Sequence, residues 1–408
     1  MLRAWMPVIV GPMTDSYDVI VVGARCAGSP TAMLLARRGY RVLVVDRTTF
    51  PSDTVSTHFV HPPGINALAR WGLLERLAAT GCPAITTYNF DFGAVVLSGS
   101  PGTAYGPRRT VLDKNLVDAA AQAGAEVREG FTLDDVLIEE GRVTGVRGHD
   151  RGGETVTERA RVVVGADGKH SRVAAAVGAS SYNEKAMAEG AYYAYWSAVP
   201  TDGFELFIRP GRVAAALPTH DGHTLVLTSW PAAEFAAFRA DVEGNFLKTL
   251  ELMPSLVDRV RAGKRESRFH ASGDLPGFFR HPYGPGWALV GDAGYTTDPS
   301  TAQGISDAFN DAERLTAALD EALSGHRPYD DALAQYQRTR DEDVTPMYEF
   351  TFNLATLEPP PPQLQQILSA AAGNKEAMDA FASLFAGVLP VPQFFAPAHL
   401  ERIMHAVA

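Results

Sequence analysis

The chain has 408 residues, of which 46% are hydrophobic and 20% charged, and its formal net charge at pH 7 is −11. This composition excludes a disordered or low-complexity chain, and the negative charge argues against nucleic acid and anionic membrane surfaces as partners. The cysteines, Cys26 and Cys82, are too few for a disulfide framework and lack the spacing of a zinc site, which fits a reducing cytoplasm. No apolar run approaches the roughly 18 residues that a membrane-spanning helix requires, and the opening segment Met1–Met13 shows no evident cleavage site.

The first predicted elements form a βαβ unit. A buried strand over Tyr17–Val22 leads through a glycine-rich turn into a helix that extends to Arg38, and a second strand covers Arg41–Asp46. Helices are predicted next over residues 64–79 and over Leu112–Ala123, where apolar residues recur at helical spacing.

The pattern changes in the middle of the chain. The apolar run Ala160–Val164 predicts another strand of the first sheet, whereas Glu189–Trp230 predicts the extended segments of a separate β-sheet, with a tight hairpin turn at Asp221–Gly222. A helical stretch over residues 232–252 follows, and Trp287–Val290 then returns the chain to the first sheet.

These elements predict an α/β protein in which a Rossmann-like dinucleotide-binding domain carries an inserted β-sheet substrate domain and a C-terminal helical tail. Such a division fits a chain that is long for a single hydrophobic core. The predicted boundaries are 15–178 and 285–325 for the two parts of the dinucleotide-binding domain, 179–284 for the substrate domain and 326–408 for the helical region.

The turn between the first strand and the first helix, Gly23–Gly28, is a candidate phosphate-binding site. Its backbone N–H groups lie at a helix N-terminus, where they can hold a pyrophosphate. Arg25 occupies the position of the usual second glycine, so its side chain must either point away from the ligand or supply a cation to it. Asp46 ends the second strand about 20 residues further on and suits ribose hydroxyls. The residues predicted to contact a dinucleotide here are Gly23, Arg25, Cys26, Ala27, Gly28, Asp46 and Arg47.

Two later motifs distinguish a flavin from a nicotinamide dinucleotide. Gly291–Tyr295, with sequence GDAGY, precedes Pro299 and the turn Ala302–Gly304, and Gly165–Arg172 has the sequence GADGKHSR. In this order the motifs resemble those of the group A flavoprotein monooxygenases, the para-hydroxybenzoate hydroxylase-like family. The resemblance covers most of residues 17–325 and implies FAD as cofactor and NAD(P)H as reductant. The cofactor-site residues it adds are Arg109, Asp167, Gly168, Gly291, Asp292, Pro299, Ala302, Gln303, Gly304 and Ile305.

The second motif allows physical roles to be assigned as well. The Asp292 carboxylate would accept hydrogen bonds from ribityl hydroxyls, and the helix that begins near Ala302 would direct its positive dipole end at the flavin. The sequence also departs from the family. Tyr295 replaces the usual histidine, Ala302 the first glycine of a GQG turn and Ser306 a frequent asparagine, which bears on active-site geometry more than on flavin binding.

The candidate catalytic residues are His58 and Tyr295. The loop that contains His58 corresponds to one that faces the flavin ring in related flavoproteins, and the alternative is an ordinary hydrogen-bonded loop histidine. His58 and His61, like His220 and His223, have the spacing of a metal-binding pair. No metal is predicted, because the first pair lacks an obvious third ligand and the second is expected to be exposed beside a hairpin turn.

The preferred hypothesis is a monooxygenase acting on a hydrophobic or aromatic small molecule. NAD(P)H would reduce FAD, dioxygen would form a flavin C4a-hydroperoxide, and one oxygen atom would hydroxylate or epoxidise the substrate. One alternative is an FAD-dependent reductase of carbon-carbon double bonds, of the geranylgeranyl reductase type, and another is a non-redox flavoprotein that acts as a cyclase or a binding module. The protein is expected to be a monomer or a homodimer.

Overall fold

The computed structural model describes residues 16–405. The opening segment Met1–Met13 and residue 15, where the first predicted domain begins, lie outside this range. The first half of the described chain contains β1 (Tyr17–Val22), α1 (Gly28–Ala36), β2 (Val42–Asp46), α2 (Pro62–Trp71), α3 (Leu74–Ala78), β3 (Ala84–Ile85), β4 (Tyr88–Asp91), β5 (Val96–Gly99), β6 (Ala104–Tyr105), α4 (Arg109–Gln122), β7 (Glu126–Glu129), β8 (Thr132–Glu139), β9 (Arg142–His149), β10 (Thr155–Gly165) and α5 (Arg172–Ala176).

The second half is mainly antiparallel sheet followed by helices. Its elements are β11 (Ser181–Lys185), β12 (Glu189–Ser197), β13 (Phe204–Arg209), β14 (Arg212–Pro218), β15 (Thr224–Pro231), α6 (Phe235–Ala240), α7 (Val242–Leu250), α8 (Pro254–Ala262), β16 (Lys264–Arg265), β17 (His270–Ser272), β18 (Gly277–Arg280), β19 (Tyr283–Gly284), β20 (Trp287–Leu289), β21 (Tyr295–Thr296), α9 (Gly304–Leu323), α10 (Tyr329–Ala355), α11 (Pro362–Ala371), α12 (Lys375–Phe385), α13 (Val391–Phe394) and α14 (Pro397–His405).

The first sheet has a parallel core in the order β20-β10-β1-β2-β7. Val19 and Val21 of β1 pack toward α1, α4 and α9, whereas Ile20 and Val22 pack toward β8, β9 and α5 on the other face. Burial on both faces explains why these strands are continuous apolar runs. Because the strands are parallel, the turns that follow β1, β2, β10 and β20 meet at one edge of the sheet.

The second sheet runs in the order β16-β12-β15-β14-β13-β4-β5, and β17 also pairs with β12. Residues of β12 alternate between its faces, so that Tyr193 and Tyr195 pack toward the C-terminal helices while Tyr192 and Trp196 pack toward α6–α8. The sheet also includes residues 88–99, which the sequence-based boundaries assign to the dinucleotide-binding domain. β4 pairs in parallel with the distant β13, and local sequence carries no signal of such long-range pairing.

The helical predictions needed two adjustments. Gly72, at φ +74°, ends α2 and separates it from α3 within the single helix predicted over 64–79. Asp241 separates α6 from α7 and accepts a hydrogen bond from the Gly244 N–H, so it starts a new helix. The hairpin turn Asp221–Gly222 is confirmed, with φ of +62° and +67° at its two central residues. Over residues 16–405, the helices are all too short or too polar to cross a bilayer.

Candidate active site

A cleft of about 790 Å³ lies at the edge of the parallel sheet where the four turns meet. Of the predicted site residues, Gly28, Gln303 and His58 do not line the cleft. The predicted residues that line it are Gly23, Arg25, Cys26, Ala27, Asp46, Arg47, Arg109, Asp167, Gly168, Gly291, Asp292, Tyr295, Pro299, Ala302, Gly304 and Ile305.

The turn after β1 has space only for glycine at two positions. Gly23 adopts φ +105°, and a Cβ there would lie 2.3 Å from the carbonyl oxygen of Ala166. A Cβ on Gly28, the first residue of α1, would lie 1.8 Å from the carbonyl oxygen of Gly23. The turn is therefore packed tightly against both the helix and the Ala166 loop, which places the N–H groups at the start of α1 where they can approach a ligand.

Arg25 is held by partners away from the turn. Its guanidinium forms an ion pair with Asp113 of α4 and donates a hydrogen bond to Ser52 Oγ at 2.8 Å. Asp113 is fully buried, and it also pairs with Arg109 at 3.0 Å. Burial raises the pKa of Cys26 to about 12, so its thiol is protonated and donates to the same carboxylate. Arg109 is thus a buried residue of the cleft wall and not a surface cation.

Asp46 fixes the turn from the end of β2. Its carboxylate oxygens accept hydrogen bonds from the N–H groups of Ala24 and Thr48, each at 2.7 Å. Each oxygen keeps a further lone pair, so the side chain can still accept a hydrogen bond from a ribose hydroxyl. Asp167, by contrast, is occupied at the start of α5, where it accepts hydrogen bonds from Ser171 Oγ and the Arg172 N–H.

Three carboxyl groups surround the turn after β20. Asp292 opens onto the cleft from a deep position, and burial raises its pKa against the opposing charges of Arg109 and Lys169. Asp311 accepts the Gly291 N–H at 2.8 Å. Burial, reinforced by Asp311 and Asp292, raises the pKa of Asp307 to about 7. This part of the cleft therefore changes its charge near neutral pH.

The loop that leads into α9 contains the departures noted in the sequence. Ala302 adopts the left-handed conformation, with φ +53°, at the position where a glycine was expected. Gly304 and Ile305 in the first turn of α9 line the cleft, and their N–H groups have no partner within the helix. Gln303 is buried, and its amide donates to the carbonyl oxygens of Thr301 at 3.1 Å and Phe385 at 2.8 Å. Its side chain therefore ties this loop to α12.

The two candidate catalytic residues differ in position. Tyr295 lines the cleft and packs against Phe279, with ring centroids 4.7 Å apart, and burial raises its pKa well above the usual value. His58 is buried, stacks on Tyr195, and places Nδ1 3.1 Å from the carbonyl oxygen of Gly106. Burial lowers the pKa of His58 to about 3, so the ring is neutral. Its backbone adopts the strained left-handed conformation, with φ +43°. The neighbouring residues, Thr57 and Phe59, line the cleft.

Two of the other three histidines of these pairs, His61 and His220, are held by hydrogen bonds. His61 Nδ1 lies 2.8 Å from the Tyr88 hydroxyl and Nε2 lies 2.9 Å from the Thr301 carbonyl oxygen. His220 is buried, in contrast to the predicted exposure, because its ring contacts Thr80 Oγ1 and the Arg108 N–H. Within residues 16–405, the structure brings together no group of three side chains that could hold a metal.

A second cavity, of about 860 Å³, adjoins the cleft. Its walls are the face of the second sheet that bears Leu206, Ala215 and Leu227, together with residues of α10, α11 and α12. The residues that line both the cleft and the cavity are Thr57, Phe59, Ala191, Leu227, Pro299 and Ala302. A molecule in this cavity would lie directly beside the cleft.

Sequence reasoning missed Arg340 of α10. This residue is 1% exposed, and it donates to the carbonyl oxygens of Gly294 and Arg280, each at 3.1 Å, and to the Tyr182 hydroxyl at 2.9 Å. The hydrogen bond to Gly294 holds the loop after β20 in place, and Arg340 also lines the cleft. No local motif marks it, because its partners are distant in the sequence.

A glycine turn after β1, an acid at the end of β2 and a second acidic turn after β20 are the features of a dinucleotide-binding protein. The glycine positions that exclude any Cβ and the free lone pairs of Asp46 fit the pyrophosphate and ribose of FAD. Residues 16–242 match the family model described as "FAD binding domain". The chain belongs to this family of FAD-dependent oxidoreductases, which includes the group A flavoprotein monooxygenases.

Named relatives include both monooxygenases and reductases. The chain is 31% identical over 364 residues to a kynurenine 3-monooxygenase of Salinispora arenicola, covering 79% of this chain and 76% of that protein. It is 27% identical over 358 residues to digeranylgeranylglycerophospholipid reductase 2 of Methanopyrus kandleri, covering 84% and 86%. The myxobacterial chondrochloren halogenase, an FAD-dependent enzyme, has the same fold, with a TM-score of 0.78 and 22% identity over 96% of this chain and 97% of that one.

Proposed function

We propose that the protein is an NAD(P)H-driven, FAD-dependent monooxygenase that hydroxylates or epoxidises a hydrophobic or aromatic small molecule. The observation that carries this proposal is the apolar cavity beside Pro299 and Ala302, which adjoins the cleft that suits FAD. When bound, FAD supplies the chemistry that takes hydride from NAD(P)H and activates dioxygen. The part left to the protein is to bind, orient and enclose the reactants.

Each part of the cleft has a role in this proposal. The turn from Gly23 to Gly28 and the start of α1 would hold the pyrophosphate, Asp46 would hold a ribose, and Asp292 would accept hydrogen bonds from the ribityl chain. Tyr295 would stay a neutral phenol in the wall of the cleft, because burial keeps its pKa high. His58 orders the loop through its contacts with Gly106 and Tyr195, so that the adjoining residues face the cleft.

The apolar residues between the cleft and the cavity would also exclude water. Phe59 and Leu227 lie where the cleft and the cavity meet, and a hydrophobic molecule packed against them would displace water from the reacting centre.

The substrate domain in this proposal is the second sheet, with the strands at residues 88–99 added to the predicted range of 179–284.

The test measures NAD(P)H oxidation and oxygen uptake by the FAD-loaded protein with candidate substrates. Oxygen uptake that depends on a substrate, with one oxygen atom of ¹⁸O₂ recovered in the product, is the expected result. Turnover that is equally fast without oxygen would contradict oxygenation.

A second candidate is reduction of a carbon-carbon double bond. The similarity to the reductase of Methanopyrus kandleri over 84% of the chain favours it. Anaerobic turnover with uptake of two reducing equivalents per double bond distinguishes this activity. A yellow protein that oxidises no reduced nicotinamide under either condition would instead support a non-redox role.

A further inference from the structure

Two buried carboxyl groups lie at the boundary between the cleft and the cavity. Glu189, at the start of β12, lines the cavity and is 3% exposed, whereas Asp298 lines the cleft and is fully buried. Ser300 connects them, since its hydroxyl oxygen lies 3.0 Å from Glu189 Oε1 and also contacts Asp298 Oδ1. We call these two acids the carboxyl pair.

The carboxyl pair holds a single proton. Asp298 Oδ2 is buried and has no hydrogen-bond donor among the described side chains, although Glu189 lies within hydrogen-bonding reach of Asp298. A proton on Glu189 supplies the missing donor. Burial and the neighbouring Asp298 charge raise the pKa of Glu189 well above its usual value. Burial also raises the pKa of Asp298, but the Ser300 N–H and hydroxyl oppose that shift by hydrogen bonding to its ionised form, so the negative charge lies on Asp298. Two buried carboxyl groups in contact do not both ionise, so the pair shares one proton and carries one negative charge.

The cavity offers no countercharge to this pair. Its ionisable residues within the described chain are all acidic, namely Glu189, Glu349 and Glu358, and arginine, lysine and histidine are missing from that lining. The other polar groups that face Glu189 are the hydroxyls of Ser229 and Ser300. A buried charge without a partner is costly in an apolar environment, and an opposite charge on a ligand would offset that cost.

We propose that the cavity binds a hydrophobic amine in its protonated form, with the ammonium group at the carboxyl pair and the apolar body along the sheet face, and that it rejects anionic molecules. This proposal rests on the proposed function, because it names the substrate class of that site. Leu206, Ala215 and Leu227 would contact the apolar body. A carboxylate or phosphate would find no cation in the cavity and would be repelled by the pair.

The test uses three probes with one apolar body: 4-phenylbutylamine, 4-phenylbutan-1-ol and 4-phenylbutanoate. Binding to the FAD-loaded protein is measured by the change in the flavin absorbance spectrum and by calorimetry at about pH 7.5, where the amine is protonated. The amine is expected to bind at least about tenfold more tightly than the alcohol, and the carboxylate more weakly than both.

Two variants locate the source of this selectivity. Asp298→Asn should remove the preference for the amine while leaving alcohol affinity within about twofold, since it removes the negative charge of the pair. Glu349→Gln is the matched control: Glu349 lines the same cavity but pairs with Lys185 at 2.7 Å, and its loss should leave the preference unchanged.

Several outcomes would overturn the proposal. These are a carboxylate probe that binds as tightly as the amine, no binding of any probe up to its solubility limit, or an undiminished amine preference in Asp298→Asn. The first two require only the wild-type protein, so a variant that fails to fold does not leave the question open. Because none of these measurements needs turnover, failure of the monooxygenase proposal would be seen separately, in the oxygen-uptake assay.

Discussion

The cleft and the cavity lie side by side but are built in different ways. The cleft is formed by main-chain turns at the ends of parallel strands, and its critical positions, such as Gly23, Gly28 and Asp46, lie in short sequence motifs. The cavity is formed by alternate side chains of an antiparallel sheet and by helices from the far end of the chain. The proposed cofactor site thus depends on backbone geometry that few residues allow, whereas the proposed substrate site depends on side-chain volume and charge.

The sharpest way to test this difference is Gly28→Ala. The new Cβ would lie 1.8 Å from a main-chain oxygen that a side-chain rotation cannot move, so we expect a loss of roughly 3 kcal/mol in the free energy of unfolding and little bound FAD. Chemical denaturation and the flavin content of the purified protein are the measurements. Gly39→Ala is the control, because a Cβ there meets nothing within 4 Å and only its φ of +88° is strained. A Gly28→Ala protein that keeps stoichiometric FAD would contradict the predicted turn.

Arg109→Met tests the buried charges of the cleft. Asp113 would keep Arg25 as a partner but lose Arg109, and we expect a cost of about 2 kcal/mol in stability together with weaker FAD binding. Arg108→Met is the matched control, since Arg108 stacks over the Tyr195 ring at 3.8 Å and does not line the cleft. Equal loss of FAD from both variants, measured by fluorescence titration of the apoprotein, would argue against a specific role for Arg109.

Ala215→Phe should separate the two sites. Ala215 lines the cavity, so a larger side chain there would fill space needed by a substrate and leave the cleft intact. We expect unchanged FAD content and about tenfold weaker binding of 4-phenylbutan-1-ol, which is about 1.4 kcal/mol. The neighbouring Ala214 packs against α6–α8 on the opposite face, and Ala214→Phe should lower stability instead. If Ala215→Phe lost FAD, the two sites would not be independent.

The smallest expected effect concerns pH. The folded protein holds the Asp307 proton up to a pKa of about 7, whereas an unfolded chain releases it near the ordinary value of 3.8. Raising the pH between these values therefore lowers stability, by on the order of 1 kcal/mol once solvent in the cleft is considered. Asp307→Asn should remove this part of the decline when melting temperatures at about pH 5.5 and pH 8 are compared. A variant whose melting temperatures change with pH as much as those of the wild type would show that Asp307 is not the group responsible.

The sequence predicted the βαβ unit, the return strand and the hairpin at Asp221 because each depends on a local pattern. The turns that line the cleft were predictable for the same reason, since glycine and aspartate positions report backbone geometry directly. Arg340, the carboxyl pair and the joining of β4 to β13 were not predictable, because the partners are separated by many residues and no periodicity links them. The burial of His220 likewise depends on Thr80, which only the folded chain brings near.

The amide of Gln303 has a mechanical consequence for this arrangement. It joins the loop at the mouth of the cleft to the last residue of α12, and α12 is part of the cavity wall. An outward displacement of α12 by an incoming molecule would act on the loop through this side chain. Gln303 is thus a direct connection between the wall of the cavity and the loop beside the cleft.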